Sequence, residues 1–535
     1  MKVLLKTVYA VDYDTKYEEI GIASIAAYLR EKKYEVLVLG STFNKIDYEK
    51  IRNYNPDVVG LTIYGKTKDV SYKFIDKIKE YNPSIIVCVG GYLATTHDQA
   101  MMSENKNIDY VIRGEGEVPF YNLLENIRKG EPELSASVTY RHNNEILKNK
   151  SISRYEDLSS YPMPSRDYLI DHNLNTATCF FSRGCTAGCH FCSSPSYWKR
   201  WRGRTVGQVV DEIKYLSSLG VRYLLIQDCS FENPGSHYNR VLEIAQAIKE
   251  LNLDIRYFVA FRAEFSRKLD DQLVQNLRDS GLFLVNIGIE AGNNEDLKLY
   301  GKPANIDDNQ RMLDILSKNN IGYKMGFMNF NTYSTFERLR ENLKFLESNN
   351  LTWRISHLFS HYMAFQGTLL YDKISKEGLI INGKEDNTTY KFADNKVGKL
   401  FHYMNGHLSQ KMNLEEVLIQ IHLLDSINVA LYEFYNRFED ISYLKPLENK
   451  FNEELKNCSR VNEEWFGNLL DYFESEDKID YHIADRMVWD TIHTRNSYKS
   501  FEKANTVKYE ILSHLYQNEK YAHWLTNSFY THMIN

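Results

Sequence analysis

Three cysteines stand within eight positions of this chain, in the stretch FSRGCTAGCHFCSS: Cys185, Cys189 and Cys192. Clustered thiolates suit soft metals. Three arrangements present themselves: a disulfide framework, a zinc site, or an iron–sulfur cluster with one iron left free. Seven cysteines in 535 residues is an odd number, spread through a long chain, and it weighs against disulfides. A structural zinc site takes four ligands, usually in two closely spaced pairs. Cys179 and His190 are candidates for a fourth ligand, yet Cys179 belongs to the preceding strand and no second C-x2-C pair exists. Three thiolates on a [4Fe–4S] cluster leave one iron with an open position, which a small molecule can ligate through an amine and a carboxylate.

Composition narrows the setting. The net charge of -6 is a poor basis for nucleic-acid binding, and no apolar run is long enough to span a membrane. The opening MKVLLKTVYAVDYDTKYEE turns charged too early for a signal peptide, so the expected location is cytoplasmic.

The elements that must position the cysteines alternate. Residues 1 to about 130 read as strand and helix in turn: KVLLKTVYA, YEVLVLG, DVVGLTIYG, SIIVCVGG and IDYVIRGEGE as strands, IGIASIAAYLREKK and DVSYKFIDKIKEY as helices. The strands are apolar along their length, as buried parallel strands are. Such a Rossmann-like, doubly wound sheet binds ligands at the carboxyl ends of its strands, where Gly60, Gly65, Gly90 and Gly91 fall. No GxGxxG occurs, which speaks against a dinucleotide. Residues 136–175, with YPMPSRDY, read as a linker or strap. A second alternation runs over 176–375: TCFFSR, VRYLLIQD, IRYFVAFR, LFLVNIGIE, GYKMGFMNF and WRISHLFS are six expected strands of a partial (β/α)6 TIM-type barrel. Barrels of this kind carry their sites at the strands' C-terminal ends, and the cysteine loop follows the first strand. Residues 376–535, opening with the long amphipathic NLEEVLIQIHLLDSINVALYEFYNRF, are expected to be mostly α-helical.

CxxxCxxC with Phe191 before its last cysteine, after the first strand of such a barrel, resembles the radical S-adenosylmethionine (SAM) superfamily. QDCSF with Asp228, FRAEF with Arg262 and NIGIEAG with Glu290 look like the elements ending its second, third and fourth strands. In the first domain (1–135), DVVGLTIYGKT, CVGGYLATTH and DYVIRGEGEVPF resemble the cobalamin-binding segments of one subgroup, the cobalamin-dependent radical SAM enzymes.

The resemblance implies three cofactors: a [4Fe–4S] cluster on Cys185, Cys189 and Cys192, SAM, and cobalamin. Thr62 and Gly65 would line the corrin and nucleotide-tail groove, Gly90 and Gly91 would let the backbone approach the tail, and the loop from Arg113 through Gly114, Glu115 and Gly116 to Glu117 would lie beside them. Phe191 would pack near adenine, Asp228 would accept from the SAM amino group, Arg262 would pair with its carboxylate, and Glu290 would reach the ribose or methionine part. The D-x-H-x-x-G motif that supplies a cobalt-ligating histidine elsewhere is absent; Asp12 and Asp14 have no such partner.

The implied activity is C-methylation: reductive cleavage of SAM to a 5′-deoxyadenosyl radical, hydrogen abstraction from an unactivated carbon of a peptide or small molecule, and methyl transfer from methylcobalamin, with an electron donor such as flavodoxin or ferredoxin. A non-methylating radical reaction (ring contraction, cyclisation or epimerisation) and a non-catalytic, cluster- or SAM-binding regulatory protein are the alternatives. tRNA methylthiolation would want an extra N-terminal cysteine cluster, where only Cys88 stands. YWKRWRGR, residues 197–204, reads as a solvated loop with cation–π contacts rather than a nucleic-acid grip. His97, His357 and His361 read as structural, and Cys229 and Cys458 as ordinary thiols.

Overall fold

The structure, a computed structural model, describes residues 1–11, 16–151, 156–198, 200–232, 239–382, 389–437, 442–494, 497–517 and 521. Asp12, Asp14 and Lys199 lie outside the described residues. The chain forms two compact units, Met1–Thr186 with Ser193–Tyr257, and Ala187–Cys192 with Phe258–Asn535.

The first unit opens with β1 (Lys2–Tyr9), α1 (Ile20–Glu31), β2 (Glu35–Thr42), α2 (Tyr48–Tyr54), β3 (Val58–Thr62), α3 (Lys68–Tyr81), β4 (Ile86–Gly90), α4 (Tyr92–Thr96), α5 (Asp98–Glu104), β5 (Tyr110–Ile112) and α6 (Glu117–Lys129). The strands assemble in the order β2-β1-β3-β4-β5, all parallel, as uniformly apolar sequences dictate. One face buries Leu4, Val8, Val59 and Val89 against Phe74 and Ile78 of α3; the other buries Leu5, Val58 and Cys88 against Ala26 of α1 and Leu123 of α6. The segment read as a linker extends this sheet with an antiparallel hairpin, β6 (Val138–His142) and β7 (Glu145–Lys148). The chain then passes through α7 (Asp167–Asp171). Just before it, Arg166 is buried between Glu18 and Glu212, and Glu212 also pairs with Arg204.

Next come β8 (Thr176–Cys179), β9 (Ser182–Arg183), α8 (Ser194–Trp198), β10 (Arg202–Gly203), α9 (Val206–Ser218), β11 (Tyr223–Ile226) and α10 (Asn239–Glu250). β8 and β11 pair in parallel. β9 and β10 pair antiparallel, Arg183 opposite Arg202, and so close the base of the cysteine loop. Thr205 starts α9 as an N-cap with Gln208 in a reciprocal capping box.

In β12 (Arg256–Arg262) the chain enters the second unit, which continues with α11 (Asp271–Asp279), β13 (Leu282–Glu290), α12 (Asn294–Leu299), α13 (Ile306–Lys318), β14 (Gly322–Phe327), α14 (Phe336–Ser348), α15 (Ser356–Phe359) and α16 (Leu369–Lys376). β12 adjoins β13, and β13 runs parallel to β14. The sixth expected strand, WRISHLFS, is instead the short helix α15, and one parallel bridge, Phe330 to His361, stands in its neighbourhood. Trp353, Ile355, Leu358 and Phe359 are all buried, so the segment shows no polar face from which a period could be read. Beyond it the described residues are mainly helical, with long helices at Leu414–Arg437 and Lys445–Ser475 as expected.

Candidate functional site

Where β3, β4 and β5 of the first unit end, a cavity of about 210 Å3 opens between the strands and helices α1 and α6. Leu5, Ile25 and Phe120 give it an apolar floor, and Gly60, Thr62, Gly90, Gly91, Gly114 and Gly116 line it. Gly91 has φ +98°, and a Cβ there would stand 2.7 Å from Thr62 Oγ1. Gly114 also has positive φ, +79°, and its N–H donates to Thr95 Oγ1 across 2.9 Å. At Gly90 the nearest atom to an added Cβ is Ile112 O at 3.6 Å, so only the missing side chain keeps that space open. An apolar slot with glycine walls fits the flat aromatic base and sugar of a nucleotide tail. Gly65 stands apart, exposed in the turn Gly65–Thr67 and off the lining.

Glu115 lies on this lining, yet its carboxylate is committed. Oε2 accepts from Arg183 Nη1 at 2.7 Å, and Oε1 pairs with Arg202. Arg183 Nη2 donates to Glu117 at 2.6 Å. All four side chains are buried. Burial pushes the Glu115 carboxyl up, opposed by the Arg183 and Arg202 charges. Glu115 therefore helps build the cavity wall. The Arg183 guanidinium also sits over Phe180 and Trp198, at 5.3 and 5.4 Å. Phe180, Tyr197 and Trp198 complete the cavity's lining. The segment expected as a solvated loop is instead part of the wall: Trp198 lies under the Arg183 guanidinium, and Tyr197 packs edge-to-face on Trp198 at 4.6 Å.

Asp228 is also turned inward. It is 3% exposed; Oδ1 accepts from Phe181 N at 2.8 Å and Oδ2 from Ser182 Oγ at 2.6 Å. Burial pushes its carboxyl up to about 6, opposed by these hydrogen bonds. Asp228 thus clamps the strand entering the cysteine loop. Each oxygen already accepts a hydrogen bond from this chain, which makes Asp228 a positioning residue for that strand.

Cys185 ends this approach in the first unit; Gly184, at φ +89°, turns the chain where a Cβ would meet Arg200 O at 2.3 Å. In the second unit the segment Ala187–Cys192 is tied by His190, whose N–H donates to Tyr300 O (2.8 Å) and whose carbonyl accepts from Leu370 N (2.9 Å). His190 Nδ1 bonds Leu299 O at 3.0 Å. Cys179 is fully buried, with its thiol pushed well up by burial. Burial thus disfavours the Cys179 thiolate that zinc would need, while His190 has its Nδ1 tied to the backbone. The three loop thiols are half-exposed. Among the described residues no three His, Cys, Asp or Glu stand close enough to hold a metal ion.

Phe191 packs edge-to-face on Tyr300, centroids 5.6 Å apart. Glu290 closes β13 with φ +66°, a conformation L-residues rarely adopt, at a register shift in the ladder to β14. Its Oε1 lies 3.7 Å from Lys302 Nζ. Burial raises the Glu290 carboxyl, and the ammonium only partly counters this. For Lys302, burial works downward, but Glu290 first and Cys189 next outweigh it and raise the ammonium. Arg262 Nη1 pairs with Glu264 at 3.3 Å.

The model of the B12 binding domain matches residues 6–124, and that of the radical SAM superfamily matches 179–346. The chain therefore carries a B12 binding domain followed by a radical SAM domain, the arrangement of the cobalamin-binding radical SAM family. These two domains imply cobalamin, SAM and a [4Fe–4S] cluster, and the radical SAM match contains all three loop cysteines, Asp228, Arg262 and Glu290. Among relatives in the family, the chain is 27% identical over 296 residues to the uncharacterized methyltransferase PH0819 of Pyrococcus horikoshii, covering 53% of this chain and 63% of that one. It is 26% identical over 340 residues to the anaerobic magnesium-protoporphyrin IX monomethyl ester cyclase of Rubrivivax gelatinosus, covering 60% of each. The chain thus spans about three-fifths of the length of these curated relatives. The solved structure of the cobalamin-dependent SAM radical enzyme OxsB, with aqua-cobalamin and SAM bound, shares the fold at TM-score 0.72 and 18% identity, over 100% of this chain and 82% of that one. Among the described residues, no helix is long and apolar enough to cross a membrane.

Proposed function

We propose that this chain is a cobalamin-dependent radical SAM methyltransferase that methylates an unactivated carbon of a peptide or small molecule. The observation that carries this reading lies in the first unit: Arg183, two residues before Cys185, is bonded to Glu115 and Glu117 on the lining of the glycine-walled cavity. When bound, the cluster would supply the electron that cleaves SAM and the corrin would carry the methyl group.

This chain's residues supply the positioning. Thr62, Gly90, Gly91, Gly114 and Gly116 would hold the nucleotide tail by admitting it to the backbone. Cys185, Cys189 and Cys192 would hold the cluster. Phe191, Arg262 and Glu290 would contact SAM, with Lys302 steering the Glu290 carboxylate. Asp228 fixes the strand before the loop. A low-potential donor such as flavodoxin or ferredoxin would deliver electrons.

The cyclase relative favours a second reading, a non-methylating radical reaction of the same site. Turnover of anaerobically purified, reconstituted protein with methyl-labelled SAM separates the two. Label in the product together with 5′-deoxyadenosine is expected; 5′-deoxyadenosine with unlabelled product would reject methylation in favour of rearrangement.

A further inference from the structure

Leu5 of β1 lines the glycine-walled cavity; Lys6, the next residue, lines another. Successive strand side chains point to opposite faces, so the two cavities flank one strand. The second measures about 560 Å3 and lies along β2 and the start of α2.

Lys6 is 1% exposed, in the middle of a parallel sheet. Its Nζ donates to Ser41 Oγ at 2.7 Å, and no carboxylate among the described residues pairs with it. A buried ammonium without a counter-charge is costly, and proteins rarely keep one unless something supplies that charge. Desolvation here pulls the Lys6 ammonium down to about 7. The mouth of the cavity adds Lys45, Lys50 and His172, against Asp47 and Asp171. Asp47 is partly spent: its Oδ1 accepts from Lys50 N at 2.8 Å as the N-cap of α2. His172 is turned by a 2.9 Å bond from Nδ1 to Tyr168 O. Tyr168 closes one side; a Cβ at Gly40 would meet its ring at 2.6 Å.

We propose that this cavity is a binding site for a small phosphomonoester, whose phosphate is held by Lys6 and Ser41 inside and by Lys45 and Lys50 at the mouth. A tetrahedral dianion suits ammonium groups arriving from several directions, because lysine binds phosphate as a point charge without the planar demand of arginine. The ligand would press on β1, whose next-door Leu5 is part of the cofactor cavity's floor.

The test uses the full chain with its cofactors and inorganic phosphate as the probe, at ionic strength held constant with chloride. Pulsed acetylation at pH 8, read by mass spectrometry, should find Lys6 slowed about tenfold by phosphate. The double variant Lys45→Ala/Lys50→Ala should abolish that protection. Lys6→Met should be at least as stable as the parent, since it removes a buried amine whose charged form burial disfavours, and its Tm should no longer rise with phosphate. An unprotected Lys6, or a phosphate-dependent Tm rise that persists in Lys6→Met, would overturn the site; a Lys6→Met variant much less stable than the parent would assign the lysine to structure alone and overturn it equally.

Discussion

Arg183 Nη1 donates to Glu115 Oε2 across 2.7 Å, joining the strand that enters the cysteine loop to the wall of the glycine-lined cavity. With Glu117 and Arg202 it forms a buried set of two cations and two anions. Balanced burial of this kind contributes little net stability, but removing one member strands the others. It also makes the cavity wall and the strand before Cys185 one mechanical piece, since neither can shift without breaking charge-assisted bonds.

Arg183→Met should therefore lose about 3–5 kcal/mol in denaturant unfolding, because Glu117 is left buried without Arg183 and Glu115 keeps only Arg202. Cobalamin uptake, followed by the visible spectrum, should fall in parallel. A loss below about 1 kcal/mol would place these charges in effective contact with water, as surface pairs are.

Gly90→Val separates cavity from fold. The nearest atom to a Cβ at Gly90 is 3.6 Å away, and valine suits a strand end. The variant should keep the parent's Tm within a few degrees and yet take up no corrin after reconstitution, while its iron and sulfide content is unchanged. Gly91→Ala, at φ +98° and 2.7 Å from Thr62 Oγ1, should by contrast lower stability itself by about 1–3 kcal/mol. Corrin bound by Gly90→Val at the parent's stoichiometry would exclude this cavity as the tail site.

Much of this arrangement is legible in sequence, for physical reasons. The parallel strands declare themselves because both their faces are buried, and the cysteines declare themselves by spacing. WRISHLFS misleads for the same reason the strands succeed: a wholly buried segment carries no period. The roles of Asp228 and Glu115 were legible only as carboxylates near strand ends. That each is claimed by this chain depends on partners 46 to 87 positions away in sequence, which no local pattern encodes. Trp198 reads as a solvated aromatic because its cover, Arg183, is 15 residues away in sequence, and Tyr197 packs in turn on Trp198.

Asp228 gives a pH signature. Its carboxyl is raised to about 6 in the folded state, above the ordinary 3.8, so between these values the folded chain holds a proton that the unfolded chain has released. Stability from this group is full below pH 4 and falls as pH rises through 6, by about 3 kcal/mol. Asp228→Asn keeps the shape, with its oxygen accepting from Phe181 N and its amide donating to Ser182 Oγ. The variant should lose the sloping contribution and become more stable than the parent above pH 6. Parallel stability–pH curves for the two proteins from pH 4 to 7 would show the carboxyl to titrate normally.

Glu290 and Lys302 make a case where a residue is kept against its own backbone. A glutamate at φ +66° costs about 1–3 kcal/mol that glycine would not. Glu290→Gly nevertheless should destabilise, because it strands Lys302, which is 3% exposed, as an unpaired buried ammonium. Adding Lys302→Met should restore the loss, and the double variant should equal or exceed the parent's stability, since strain and buried charge are both gone. The double-mutant cycle should then report a coupling of about 1–3 kcal/mol. SAM affinity, measured by equilibrium binding to the cluster-loaded protein, should stay low in the double variant, because the carboxylate proposed to contact SAM is missing. Additive losses in stability would show the two side chains to be independent, and recovered SAM binding in the double variant would remove Glu290 from the SAM site.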